Sequence, residues 1–409
     1  MDTGDTAWIL ASSALVLLMT PGLAFFYGGM VRAKSVLNMM MMSFAALAIV
    51  PVLWVLYGYS LAFSPGGSGV LGGFDRLGLS NIAVDTAYGT IPEYVFAGFQ
   101  MMFAIITVAL ISGAVADRTK FAGWIVFTVV WVSVVYFPVA HWVFDFGDDG
   151  GWIATKLEAI DFAGGTAVHI NAGAAGLALV LVLGKRVGWK RDPMRPHNLP
   201  FVLLGAGLLW FGWFGFNAGS AVGANGLAGL AFVNTAVATA AAIIGWIAVE
   251  LVREGKGTSL GAASGAIAGL VAITPAAGAA SPLGSIAIGA VAGVLCAFAV
   301  GLKYRLGYDD SLDVVGVHLV GGLVGTLLIG LLATEGAGLE QLGKQTLAAV
   351  VVLAYSFVLT YVIGLLIDRT IGFRLDEELE VTGIDQVEHL ESAYDFAGGG
   401  GGSILKTGA

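Results

Sequence analysis

The chain has 409 residues, 57% of them hydrophobic and only 11% charged, with a mean hydropathy of +0.88. Soluble domains carry about 25% charged residues. This composition excludes a water-soluble enzyme or a nucleic-acid-binding module and leaves a polytopic membrane protein. A single cysteine, Cys296, excludes an intrachain disulfide and any cysteine-based metal motif. The net charge of −9 decides little, because placement matters more than the sum.

Taken in chain order, apolar runs of about 20 residues, the length a bilayer demands, predict eleven helices. They lie at roughly 8–31, 36–63, 93–115, 121–143, 162–184, 198–219, 227–250, 258–278, 283–302, 312–333 and 344–367. The first run has no basic segment before it and continues through Pro21-Gly22, so it reads as a true span and not a cleaved signal. Residues 64–92 form a glycine-rich loop. With the N-terminus outside, every Lys and Arg except Arg76, Lys156 and Lys344 falls on the cytoplasmic side. An odd number of spans then puts the C-terminus inside. The fold class is therefore all-α and polytopic, in the cell (plasma or inner) membrane, N-out and C-in.

Spans one to five and six to ten form two halves. Five is odd, so the halves enter the membrane from opposite sides, as a 5+5 inverted repeat with an eleventh helix outside it. The domain reading is a transmembrane domain over 1–371 and a cytoplasmic tail over 372–409. Repeat one covers about 8–184, repeat two about 198–333 and span eleven about 344–367. The tail turns acidic at Asp376, Glu377, Glu378 and Glu380, and its glycine-rich end, 397–409, reads as flexible. Small-residue stripes such as Gly261-Ala-Ala-Ser-Gly265 suit close helix packing.

Two histidines stand at matching places in the halves. His169 ends Asp161-Phe-Ala-Gly-Gly-Thr-Ala-Val-His169, and His318 ends Asp310-Ser-Leu-Asp-Val-Val-Gly-Val-His318. Imidazole is costly in a bilayer, so a histidine there marks a functional site by default, and two related by a repeat point to one shared site. The bland alternative, a histidine satisfied by a neighbouring helix, is weakened by that pairing. Asp161 can equally be a helix N-cap, and Asp310 and Asp313 suit the dipole at the start of span ten. On composition alone, Phe103 and Phe216 are ordinary span aromatics. His141 reads as interfacial, and the run Lys185–Arg195 as a topology signal with contact to anionic lipid.

Four segments together resemble the ammonium transporter family (Amt/Mep/Rh), closest to the prokaryotic Amt type. They are Phe25-Phe-Tyr-Gly-Gly-Met-Val-Arg32, Asp161 to Asn171, Gly212-Trp-Phe-Gly-Phe-Asn-Ala-Gly-Ser220 and Asp309 to His318. The resemblance runs from about residue 8 to 394. It implies a homotrimer with one pore per eleven-helix protomer, transporting ammonium or ammonia, with no enzymatic step, no cofactor and no metal. It assigns Phe103, Phe144, Ser220 and Asp161 to an outer ammonium site, Phe103 and Phe216 to a gate, His169 and His318 to the pore, and Trp213 to its lining. The tail segment with Asp385, His389, Glu391 and Tyr394 is similar to the family's regulatory C-terminus, which implies a PII-type signal protein at the cytoplasmic face. Its plain alternative is a solvated acidic tail.

Three residues depart from the family pattern. Phe144 stands where the family often has Trp, and a phenyl ring holds a cation less well than an indole. Leu319 and Leu390 stand where glycine is usual. Rival readings are a neutral ammonia gas channel, an ammonium sensor with secondary transport, and an ion-coupled transporter of the generic inverted-repeat kind. The short tail disfavours the sensor.

Overall fold

The computed structural model describes residues 1–394; the expected flexible end, 397–409, lies outside them. Ten helices in the described chain are long and apolar enough to cross a membrane. We number the apolar helices in chain order. They are α1 Thr3–Met30, α2 Ala33–Phe63, α3 Glu93–Val115, α4 Phe121–Phe144, α5 Gly165–Leu183, α6 Leu199–Gly219 and α7 Gly226–Glu254, then the short α8 Ser259–Ile273, then α9 Pro282–Leu306, α10 Val315–Leu332 and α11 Leu339–Thr370. All match expected spans, with one correction. The run 258–278 was read as a full span, but α8 has 15 residues and Thr274–Ala279 is turn. Pro275 has no N–H to continue the ladder, and its carbonyl instead accepts the N–H of Phe162 at 3.1 Å.

Helix starts follow ordinary capping chemistry. The side chains of Asp2, Asn225, Thr258 and Ser281 accept backbone N–H groups at the starts of α1, α7, α8 and α9. Asp2 thus begins α1 five residues earlier than hydropathy suggested. The loop before α3 closes in a short hairpin, Ala87–Tyr88 against Ile91–Pro92.

Matching helices of the two halves pack against each other, and glycine lets their backbones meet. A Cβ on Gly205 of α6 would lie 2.3 Å from Phe26 N of α1, and one on Gly29 of α1 would lie 2.7 Å from Asn198 O. The α5–α10 crossing is similar. A Cβ on Gly173 would lie 2.5 Å from Leu319 N, and one on Gly322 would lie 3.1 Å from His169 Cβ. Leu319, standing where glycine is usual, is accommodated by Gly173 on the other half.

One face carries a buried ionic knot. Arg186 bonds Asp309 (2.8 Å) and Asp117 (3.1 Å), and Arg32 reaches Asp117 at 3.3 Å. Arg118, fully buried, donates to Asp309 O and Ser311 Oγ, each at 2.7 Å. The knot joins the segments after α1, α3, α5 and α9. Burial opposes charge on Asp309, but the Arg186 N–H groups and nearby positive charge outweigh it and hold this carboxyl below its ordinary value. Because the folded-state value is the lower one, the link contributes its full stability above about pH 4 and loses it as pH falls through the folded value. At pH 7, Asp309→Asn costs about 3 kcal/mol, since it leaves buried guanidinium groups uncompensated. Thermal unfolding in detergent measures this, and the gap to the parent narrows as pH falls through the lowered folded-state value of Asp309.

Candidate functional site

The N-terminal half of α3 forms one wall of a cavity of about 400 Å³ on the face opposite the knot. Phe96, Phe99, Gln100 and Phe103 recur at helical spacing and line it, with Phe144 from α4 and Ser220 at the end of α6. Below the opening, Phe103 and Phe216 nearly touch, with ring centroids 4.3 Å apart at 36°. Phe144 meets Phe103 edge-on at 6.3 Å. The Ser220 hydroxyl donates to Phe216 O at 2.7 Å, which leaves its oxygen lone pairs free to accept.

Beyond the phenyl pair come the histidines. His169 lies 6.1 Å from Phe216, 5.4 Å from Trp213 and 5.4 Å from His318, ring to ring and all within 25° of parallel. Trp213 is fixed by its indole N–H, which donates to Thr274 Oγ1 at 2.9 Å. The histidine Nδ1 atoms are 3.3 Å apart, so one Nδ1–H donates to the other Nδ1. With both rings neutral, one Nε2 is then a bare acceptor and the other an N–H donor. His169 Nε2 is buried with no partner among the described residues.

Why the rings meet is a matter of backbone. Each histidine sits on a wide turn with five-residue hydrogen bonds: His169 N–H to Gly164 O, and Val320 N–H to Val315 O beside His318. Such turns free N–H groups and often mark functional positions. Two carboxylates collect the freed groups. Asp161 accepts the N–H of Gly164 (2.8 Å), Gly165 (2.6 Å) and Thr166 (2.8 Å), and the Thr166 hydroxyl. Asp310 accepts Val314 (3.1 Å) and Val315 (2.7 Å). The matched Asp and His are thus one device used twice.

The structure brings together Phe103, Phe144, Phe216, Ser220, His169, His318 and Trp213. Asp161 does not join the cavity wall, for both its oxygens face the start of α5. Sequence reasoning missed Gln100 and Phe99, which helical spacing from Phe103 could have found. Phe162 and Thr274 carried no such signal. His141 is buried within the protein, with ring nitrogens 2.8 Å from Ala62 O and 2.6 Å from Ser68 O, and it anchors the loop after α2.

A model of the Ammonium Transporter Family matches residues 7–394. The chain belongs to this family. It is 59% identical to an ammonium transporter of Mycobacterium tuberculosis (strain H37Rv), across 97% of this chain and 91% of that one. It is 48% identical to one of Bacillus subtilis (strain 168), across 96% and 99%. Among solved structures it resembles Mep2 of Saccharomyces cerevisiae, with a TM-score of 0.84 at 34% identity over 92% of this chain and 88% of that one. A structure described as a sensor Amt protein gives 0.89 at 29% identity, over 94% and 98%.

Within this family member the described part of the tail, up to residue 394, is docked against the helices. Asp385 accepts the N–H groups of Leu37 (3.0 Å) and Asn38 (2.9 Å), and His389 Nε2 lies 2.9 Å from Asn38 Oδ1. Glu388 accepts the Phe121 N–H at 2.8 Å. The Tyr394 hydroxyl meets His197 at 2.8 Å, whereas the Glu391 side chain is exposed. Leu390 takes a left-handed backbone (φ 57°) and is 82% exposed. It keeps the turn a glycine would make freely, at the cost of about 1 kcal/mol of strain.

If the Asp161 carboxylate holds the start of α5, Asp161→Asn turns an NH₂ group toward waiting N–H donors. That lowers the stability of substrate-free protein by about 2 kcal/mol, read as a drop in unfolding temperature by scanning fluorimetry. An unchanged temperature would leave Asp161 with a purely electrostatic role.

Proposed function

We propose that this chain is an ammonium transporter of the cell membrane. It recruits the cation outside, deprotonates it and conducts ammonia past two histidines, with the proton moving separately. The observation that carries the reading is one line of groups in space: an aromatic cavity with a hydroxyl, a closed phenyl pair, then a hydrogen-bonded histidine pair in a dry interior. The proposal includes eleven spanning helices, N-out and C-in, with α8 as the eighth, and a homotrimer whose docked tail presents a surface to a PII-type protein.

Each part has a physical reason. In the cavity, phenyl faces attract a cation with about 0.5–2 kcal/mol each, and the Ser220 oxygen accepts one of its N–H groups. Asp161, its charge balanced by N–H dipoles, adds negative potential at longer range. Between Phe103 and Phe216 nothing replaces the hydration of an ion, so the charged form is excluded and the neutral form passes once the rings part. Beyond them, the donor and acceptor Nε2 atoms of the paired histidines suit ammonia, which both accepts and donates. The shared Nδ1 hydrogen couples the two rings, so a proton taken by one is felt by both.

Two measurements test this. In proteoliposomes, uptake of methylammonium and the accompanying current both vanish in His169→Ala/His318→Ala; current with unaltered selectivity in that variant contradicts the relay, and uptake governed only by dissolved ammonia points to a gas channel. Phe144→Trp restores the larger aromatic face, and the half-saturating ammonium concentration falls by about threefold, the equivalent of roughly 0.6 kcal/mol of added cation–π attraction.

A further inference from the structure

Away from the conduction line, two guanidinium groups flank a groove where α7 and α9 end on the face of the ionic knot. Arg253 is in the last turn of α7, and Arg305 is one residue from the end of α9. The groove between them measures about 230 Å³ and is lined by Arg253, Phe298, Gly301, Leu302 and Arg305. The Arg253 guanidinium lies over the Phe298 ring, 5.5 Å from its centre.

The charges here are not matched by the protein. Arg32, Arg118 and Arg186 in the knot all face carboxylates. Neither the Arg253 nor the Arg305 guanidinium makes a hydrogen bond or an ion pair among the described residues. The nearby acids are mostly engaged: Glu250 accepts the N–H and hydroxyl of Thr258 at 2.7 and 2.9 Å, and Asp313 pairs with Lys303 at 2.6 Å. Glu254 is exposed and does not line the groove.

The groove is also amphipathic. Exposed apolar side chains flank it on both helices: Val252 (87%), Phe298 (51%), Leu302 (40%) and Leu306 (72%). A free inorganic anion would use the arginines and leave these surfaces in water. An amphiphile with an anionic head would use both. Guanidinium forks match phosphate oxygens in pairs, and basic pockets between membrane helices suit lipid headgroups.

We propose that this groove is a binding site for an anionic phospholipid. The phosphodiester sits between Arg253 and Arg305, and an acyl chain runs along Phe298, Leu302 and Leu306. The orientation given under the proposed function names the leaflet as cytoplasmic; the headgroup chemistry does not depend on it, nor on what the pore conducts.

The test titrates the purified full-length protein, in a neutral detergent, with phosphatidylglycerol or phosphatidylcholine and counts bound lipid by native mass spectrometry. The tightest phosphatidylglycerol step weakens about thirtyfold in Arg253→Gln/Arg305→Gln, each charge near an anionic head being worth about fivefold. Phosphatidylcholine binding does not change, and Arg369→Gln, at the end of α11, binds like the parent. An unfolding temperature in lipid-free detergent equal to the parent's shows that the double variant is folded; Arg253→Lys/Arg305→Lys, which keeps both charges, recovers most of the affinity if the fold is disturbed. The proposal is overturned if the double variant binds phosphatidylglycerol like the parent. Displacement of the lipid by millimolar inorganic phosphate overturns it in favour of a free-anion site. Dissociation of the oligomer with lipid binding unchanged overturns it in favour of a contact between copies.

Discussion

A backbone N–H released from its helix inside a bilayer has no water to turn to and must find a partner in the protein. The arrangement of this chain's interior depends on how that demand is met at two places. The starts of α5 and α10 are broken into wide turns, and the carboxylates of Asp161 and Asp310 gather the released groups. Without those acceptors the turns would tighten into ordinary helix. A tighter turn rotates each following residue by a large fraction of the helix circumference. His169 and His318, 149 positions apart in sequence, would then no longer stand with nitrogens 3.3 Å apart.

The distribution of polarity follows a single logic. Charge is kept at the two ends of the molecule, and where it is buried it is matched, as in the knot of Arg32, Asp117, Arg118, Arg186 and Asp309. The middle holds rings and hydrogen-bonding nitrogens but no formal charge. Near-parallel packing of His169 with Trp213 and Phe216 fixes that imidazole and leaves its edge for the hydrogen bond to His318. The knot and the docked tail share one face: Glu380 accepts the Val187 N–H at 2.8 Å and pairs with Arg374 at 3.0 Å. A change in the tail therefore reaches the segments that close α1, α3 and α5.

Much of this was legible in the sequence because hydrocarbon thickness leaves little freedom. Ten of the runs of apolar residues became long helices at nearly the expected limits, and the eight-residue Asp–His spacing marked the two central turns. Trp213 and Phe216, suggested by resemblance, stand beside His169, and Phe103 and Ser220 line the cavity next to Phe216. What was not legible depends on contacts between distant segments. Pro275 ends α8 early because its carbonyl is wanted by Phe162. His141 is interior because the loop after α2 folds back onto both its nitrogens. Leu390 keeps a left-handed turn just after Asp385 and Glu388, which hold the tail to α2 and to the start of α4.

By itself the sequence determined that the chain lies in a membrane, how many apolar helices it makes, that its halves correspond, and which residue types could handle a small cation. Those properties are local or periodic: hydropathy over about 20 residues, a repeated spacing, a motif. Only the tertiary structure decided that the two imidazoles share a hydrogen, that Asp161 faces backbone and not the aromatic cavity, and that Arg253 and Arg305 flank one groove with no carboxylate between them. Those facts depend on close glycine crossings such as Gly173 against Leu319, and a crossing belongs to two helices at once, so neither segment carries it alone.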